Sequence, residues 1–164
     1  MSRVAIGLGS NIDEPLQQLA GALRQINAHP DVSLATPSRV YLSAPIGPQD
    51  QPDFYNAAVV ADTSMTPETL LQWLLDTELE LGRQRSRHWG ERCIDLDLLL
   101  FDDREIQTES LVVPHPRAHL RRFVLDPLTE LLGEDHVLPG RGTLRSLQAK
   151  CADQAIRVLC EFPQ

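Results

Sequence analysis

Lysine is nearly missing from this 164-residue chain: fourteen of the fifteen basic residues are arginine, and the exception is Lys150. A P-loop needs a lysine beside its glycines, and a Schiff-base enzyme would have to use this one outlying residue, so both are excluded. Cysteine is scarce as well. Cys93, Cys151 and Cys160 are odd in number and lack CxxC spacing, which excludes a disulfide framework or a zinc knuckle and predicts a reducing, cytoplasmic setting. No apolar run approaches the roughly 20 residues of a membrane helix, and the first residues, Met1 to Asn11, lack a charged segment followed by an apolar stretch and a cleavage site. Neither membrane insertion nor export is expected. Positive charge is in deficit, 15 basic against 23 acidic residues, and a net charge of -8 opposes attraction to nucleic acid or anionic lipid.

What is present is 42% apolar residues without low complexity or repeats, enough for one domain over residues 1–164 with a real core. Val4 to Gly9 reads as a strand, and Asp13 to Ala28 carries Leu16, Leu19, Ala20, Leu23 and Ile26 at helical spacing, capped by Asn11 or Asp13 with Pro15 in the first turn. Val32 to Tyr41 and Phe54 to Asp62 read as strands, separated by a loop, Ser43 to Asp53, rich in proline and glycine. Thr66-Pro67-Glu68 opens a helix that runs to Gly82. Cys93 to Phe101 is the strongest strand, with Asp102-Asp103 expected to turn it into a hairpin with Arg104 to Ile106. The order is β-α-β-β-α-β, which predicts an α+β, ferredoxin-like core in three layers. Short helices within Arg117 to Leu132, a helix near Leu144 to Ala152 and a strand at Ile156 to Cys160 are added at the C-terminal side.

Charge is unevenly spread. Eight of the 15 positive charges lie between Arg83 and Arg122, where only seven acids occur. Within this stretch Asp95 and Asp97 share one strand face, about 7 Å apart, while Ile94, Leu96 and Leu98 point the other way. Two like charges on an apolar strand call for cations, either magnesium or arginine, unless the face is simply solvated. The loop just before, Arg83 to Arg92, holds four arginines and His88. Arginine forks beside a carboxylate pair suit a magnesium nucleotide. His115 and His119 are four apart, but without an HExxH glutamate and with Pro116 between them a zinc helix is not expected. Gly7 and Gly9 supply only the first two glycines of a dinucleotide fingerprint. Trp73 is expected in the core, and His29 and His136 at the surface.

Taken together, Gly9-Ser10-Asn11, the segments Gly47 to Val59, Glu78 to Arg83 and Trp89 to Asp97, Pro114-His115-Pro116-Arg117 and Arg122 to Leu128 resemble the 6-hydroxymethyl-7,8-dihydropterin pyrophosphokinase family of folate biosynthesis. The resemblance implies transfer of pyrophosphate from ATP to the pterin hydroxymethyl group, giving AMP. It implies that Asp95 and Asp97 bind two Mg2+ ions and that Arg83 and Arg92 stabilise the transferred charge, with Glu78, Arg85, His88, Trp89, His115 and Arg121 around the ATP. It also implies a pterin pocket made by Phe54, Phe123, Asn56, Ser43, Pro45, Ile46 and Trp89. His88, Leu75, Ser110 and Pro116 depart from the pattern of the better-known members, which leaves nucleotide contacts the least defined part. A monomer is expected. An RNA-binding module, a two-metal phosphohydrolase and a silent ligand sensor are the rivals, and product analysis separates them.

Overall fold

Strand β1 (Ser2–Ser10) lies inside the sheet and is covered on both faces: Val4, Ile6 and Leu8 turn to one side, and Ala5, Gly7 and Gly9 to the other. The computed structural model describes residues 1–82 and 93–164. Helix α1 (Pro15–Ala28) begins with its proline at the first position, as expected, but neither Asn11 nor Asp13 caps it. Asn11 is buried and its Nδ2 donates to Gln51 Oε1 (2.9 Å) and the Pro52 carbonyl (3.0 Å), which fastens the Ser43–Asp53 loop to the end of β1. The Asp13 carboxylate accepts instead from Cys93 Sγ at 3.0 Å.

The expected strand Val32 to Tyr41 is two strands, β2 (Val32–Pro37) and β3 (Val40–Ser43). Proline 37 has no N–H for a ladder, and at the break Ser38 takes over: its N–H donates to the Ala58 carbonyl and its hydroxyl accepts from the Ala58 N–H. Both pieces pair with β4 (Phe54–Thr63). Helix α2 (Pro67–Glu80) starts at Thr66, whose hydroxyl accepts from the Thr69 N–H. The next strand, β5 (Asp95–Phe101), pairs with β1 and does not fold back on itself. Asp102 adopts a positive φ of 49°, its carboxylate accepts from the Arg3 N–H, and the chain leaves the sheet. The hairpin predicted there forms later, between β6 (Ile106–Gln107) and β7 (Val112–Val113).

A 3-10 turn (Ala118–Leu120), α3 (Arg122–Leu132), a small hairpin of β8 (Val137–Leu138) and β9 (Gly142–Thr143), α4 (Leu144–Lys150) and β10 (Ile156–Cys160) follow. Strand β10 returns to pair with β3, so the antiparallel sheet runs β10-β3-β4-β1-β5, with β2 also on β4. Leu19, Ile26, Leu70 and Leu74 pack α1 and α2 on one face, and Leu125, Leu128, Leu144 and Leu147 pack α3 and α4 on the other. Each such side chain, wholly buried, contributes about 1.5 to 3 kcal/mol. Glu130 of α3 accepts from the Arg39 N–H and from Tyr41 Oη at 2.6 Å, which fixes that helix over β3; burial and this carboxylate push the Tyr41 hydroxyl pKa upward. Trp73 packs at the core edge, against His29 rather than leaving that histidine bare.

Candidate active site

Three strands lay small and acidic residues side by side on the face that carries α3. In register, Asn56, Gly9 and Asp95 form one row, and Ala58, Gly7 and Asp97 the next. With no side chain on the two glycines, the rows enclose the floor of a cavity of about 600 Å³. A Cβ on Gly9 would sit 3.4 Å from Asn56 Oδ1 and 4.0 Å from Phe54 Cδ1, so the missing side chain leaves room for an occupant against these two groups. The cavity reaches past β5 to Leu75 and Glu78 of α2.

One wall is cationic. Arg121 and Arg117 line it with His115, facing the aspartates across the floor. Burial lowers the Arg121 pKa, while Asp97 and Asp95 favour its charge, and its guanidinium lies over the Phe123 ring at 5.5 Å from the centroid. Burial first, then Arg121 and Arg117, push the His115 pKa down to about 4, so the ring is neutral at pH 7. Its Nδ1 accepts from the Arg117 N–H at 3.2 Å, which leaves the ring proton on Nε2 as a donor. Asp97 is exposed to the cavity and Asp95 half-buried.

The other end is flat-sided and polar at one point. Phe54, Phe123, Ile46 and Ser43 line it around the buried Asn56. Asn56 Nδ2 donates to Ser43 Oγ (2.8 Å) and to the Phe54 carbonyl (3.2 Å), so Oδ1 is the atom offered to a ligand N–H. Pro45 is buried beside this end, but it does not line the cavity; its carbonyl accepts from Gln49 Nε2.

Glu78 is 3% exposed, and its Oε1 accepts from the Leu96 N–H at 2.6 Å. Leu96 stands between the two aspartates on β5, the last strand of the sheet among the described residues, so this carboxylate takes up an amide that β1 does not pair and fixes the strand that carries them. Asp95, Asp97, Glu78, His115, Arg121, Ser43, Ile46, Phe54, Asn56 and Phe123, expected from the sequence, therefore meet in one cavity, together with the departing residues Leu75, Ser110 and Pro116. Arg83, Arg85, His88, Trp89 and Arg92 lie outside the described residues. Gly7 and Gly9, discounted as a dinucleotide motif, were missed as the floor; their two-residue spacing on a strand was the available signal.

The model of the 7,8-dihydro-6-hydroxymethylpterin-pyrophosphokinase (HPPK) family matches residues 5–133. The chain belongs to this family. Among the relatives of this HPPK chain, the 2-amino-4-hydroxy-6-hydroxymethyldihydropteridine pyrophosphokinase of Haemophilus influenzae is 45% identical over 148 residues, 90% of this chain and 92% of the relative. The protein of the same name from Pseudomonas aeruginosa is 41% identical over 159 residues, 97% of this chain and 98% of the relative. The crystal structure of wild-type HPPK-DHPS from Plasmodium falciparum has a TM-score of 0.68 at 14% identity over 91% of this chain, a likeness of fold. This chain spans 44% of that longer protein. The HPPK match ends at residue 133, so α4 and β10 lie beyond it.

Proposed function

We propose that this chain, as one domain of ferredoxin-like plan over residues 1–164, catalyses the reaction for which its family is named. It transfers the pyrophosphoryl group of ATP to the hydroxymethyl oxygen of 6-hydroxymethyl-7,8-dihydropterin in folate biosynthesis. The hydroxyl oxygen forms a bond to the β-phosphorus, the bridge to the α-phosphate breaks, and AMP and the pterin diphosphate leave. The observation that carries this reading is the two-ended cavity, with a carboxylate pair facing arginines at one end and aromatic rings around a buried amide at the other.

Asp95 and Asp97 would hold magnesium. The donor set fits: both are hard carboxylate oxygens, Asp97 is open to the cavity, and among the described residues no group of three or more His, Cys, Asp or Glu forms a closed site that would suit zinc. Two carboxylates leave positions for water and phosphate oxygens, as magnesium prefers. Bound there, the metal supplies charge neutralisation on the triphosphate. Arg121 and Arg117 offer guanidinium forks to phosphate oxygens, and neutral His115 offers its Nε2–H without adding charge. Phe54 and Phe123 sandwich the pterin while Asn56 Oδ1 accepts from its edge. Glu78 acts by holding β5 as well as by facing the nucleotide. Arg83, Arg85, His88, Trp89 and Arg92 complete the ATP and pterin contacts in this reading, and the chain works as a monomer.

Nucleotide products after incubation with Mg-ATP, with and without the pterin, test it. AMP formed only with pterin, and lost in Asp97→Ala, is the expected result. ADP or free phosphate formed without pterin would mean a kinase or phosphohydrolase, and ATP binding without turnover a sensor.

A further inference from the structure

A second cavity, of about 550 Å³, lies behind the turn that carries His115, Arg117 and Arg121. It is an open concavity bordered by that turn, the end of α4 and the β8–β9 hairpin tip, and three basic side chains line it: His119, Arg141 and Lys150. Asp153 is the one acid on its wall. Among the described residues neither Arg141 nor Lys150 has an ion-pair partner, although acids outnumber bases 23 to 15 in the chain. Leaving two cations unpaired around one concavity in so acidic a protein costs mutual repulsion, and an anion between them would remove it.

We propose that this cavity is a second anion site, remote from the aspartate pair, which takes a phosphate or carboxylate group between Arg141, Lys150 and His119. The frame around it is built. Gln154 Nε2 donates to the Leu120 carbonyl (2.8 Å), Gln154 Oε1 accepts from the Arg122 N–H (2.9 Å) and Cys151 Sγ donates to the His119 carbonyl, so the end of α4 is stapled to the turn. Arg141 stands between Gly140 and Gly142, both at positive φ, on a tight tip that fixes where its side chain starts. The two cations also act on His119: burial first, then Arg141 and Lys150, lower its pKa, in keeping with their shared place on the cavity wall. A ligand here binds the reverse side of the segment that presents Arg117 and Arg121 to the catalytic cavity.

Histidine ring resonances report the site directly. The His119 pKa is measured in inorganic phosphate and in citrate against chloride at matched ionic strength, with His115 as the control for binding in the catalytic cavity. A bound anion favours the imidazolium, so a rise of at least about half a pH unit at His119 is expected with one or both probes. Response to phosphate alone assigns a phosphorylated ligand, and response to citrate alone a polycarboxylate. The rise should vanish in Arg141→Ala/Lys150→Ala, persist in Arg141→Lys/Lys150→Arg, and leave the His115 response unchanged. Both side chains are exposed, so the fold should survive, and a thermal melt checks this. No rise with either probe, or a rise that survives the double alanine variant, would overturn the proposal.

Discussion

Replacing Glu78 tests how β5 is held. The carboxylate accepts from the Leu96 N–H at 2.6 Å while 3% exposed, so Glu78→Ala removes a charge-assisted bond and leaves an edge amide without its acceptor inside the protein. Hydrogen bonds to charged groups contribute about 1.5 to 3 kcal/mol, and an orphaned buried donor costs about 1 to 3 kcal/mol. These are two views of one loss, so a destabilisation of about 3 kcal/mol is expected, not their sum. For a chain of this size that lowers Tm by about 6 to 12 °C. Glu78→Gln keeps a carbonyl acceptor and should lose only about 1 kcal/mol. Urea unfolding of both variants gives the energies, and native-state hydrogen exchange at Leu96 shows where the loss falls. Exchange of the Leu96 amide should rise in Glu78→Ala far more than that of Leu8 across the ladder. If the alanine variant unfolds with the wild-type midpoint, or the Leu96 amide stays as protected as before, the carboxylate does not hold the strand and the argument fails.

Further outcomes follow from the same geometry. His115 titrates near 4 in the folded chain against 6.5 when unfolded; the unfolded state therefore binds the extra proton between those values, and a contribution of about 2 kcal/mol, allowing for the ring's partial exposure, is present above pH 6.5 and is lost as pH falls toward 4. In urea unfolding, the stability of wild type minus that of His115→Gln should fall by about 2 kcal/mol between pH 7 and 4, and a difference that stays constant would refute this. Gly9→Val fills the floor beside Asn56 and Phe54 and should raise the pterin KM more than tenfold while Tm moves by only a few degrees. Thr66→Ala removes the acceptor for the Thr69 N–H at the start of α2 and should cost about 1 kcal/mol in a thermal melt without changing either KM.

Local periodicity was enough for much of this protein. The alternation in β1, β4 and β5 and the 3.6-residue spacing in α1 and α2 depend on neighbours within a few residues, so the elements and the shared face of Asp95 and Asp97 are legible in the chain. The same alternation places Gly7 and Gly9 on one face, yet a glycine has meaning there only when the rows beside it are known. Local sequence does not settle the choice between partners: Asn11 could cap α1 or tie down the Ser43–Asp53 loop, and Asp102 could close a hairpin or hold Arg3. Those choices turn on which partner the fold brings beside the side chain, and that partner, Gln51 and Pro52 for Asn11 or the Arg3 N–H for Asp102, is distant in sequence.

Tertiary structure alone decided the rest. Residue type marked His115 and Arg121 as candidates, but only the path of the chain across the sheet sets them opposite Asp95 and Asp97, where burial and neighbouring guanidiniums make the histidine neutral. Glu78 looks like any helical glutamate until the edge of β5 arrives beside it, 18 residues later, with an amide to fill. Strand β10 finds β3 across more than a hundred residues, and no local preference encodes that pairing. Propensity acts over one or two turns of chain; burial, register and charge proximity exist only once distant segments have met.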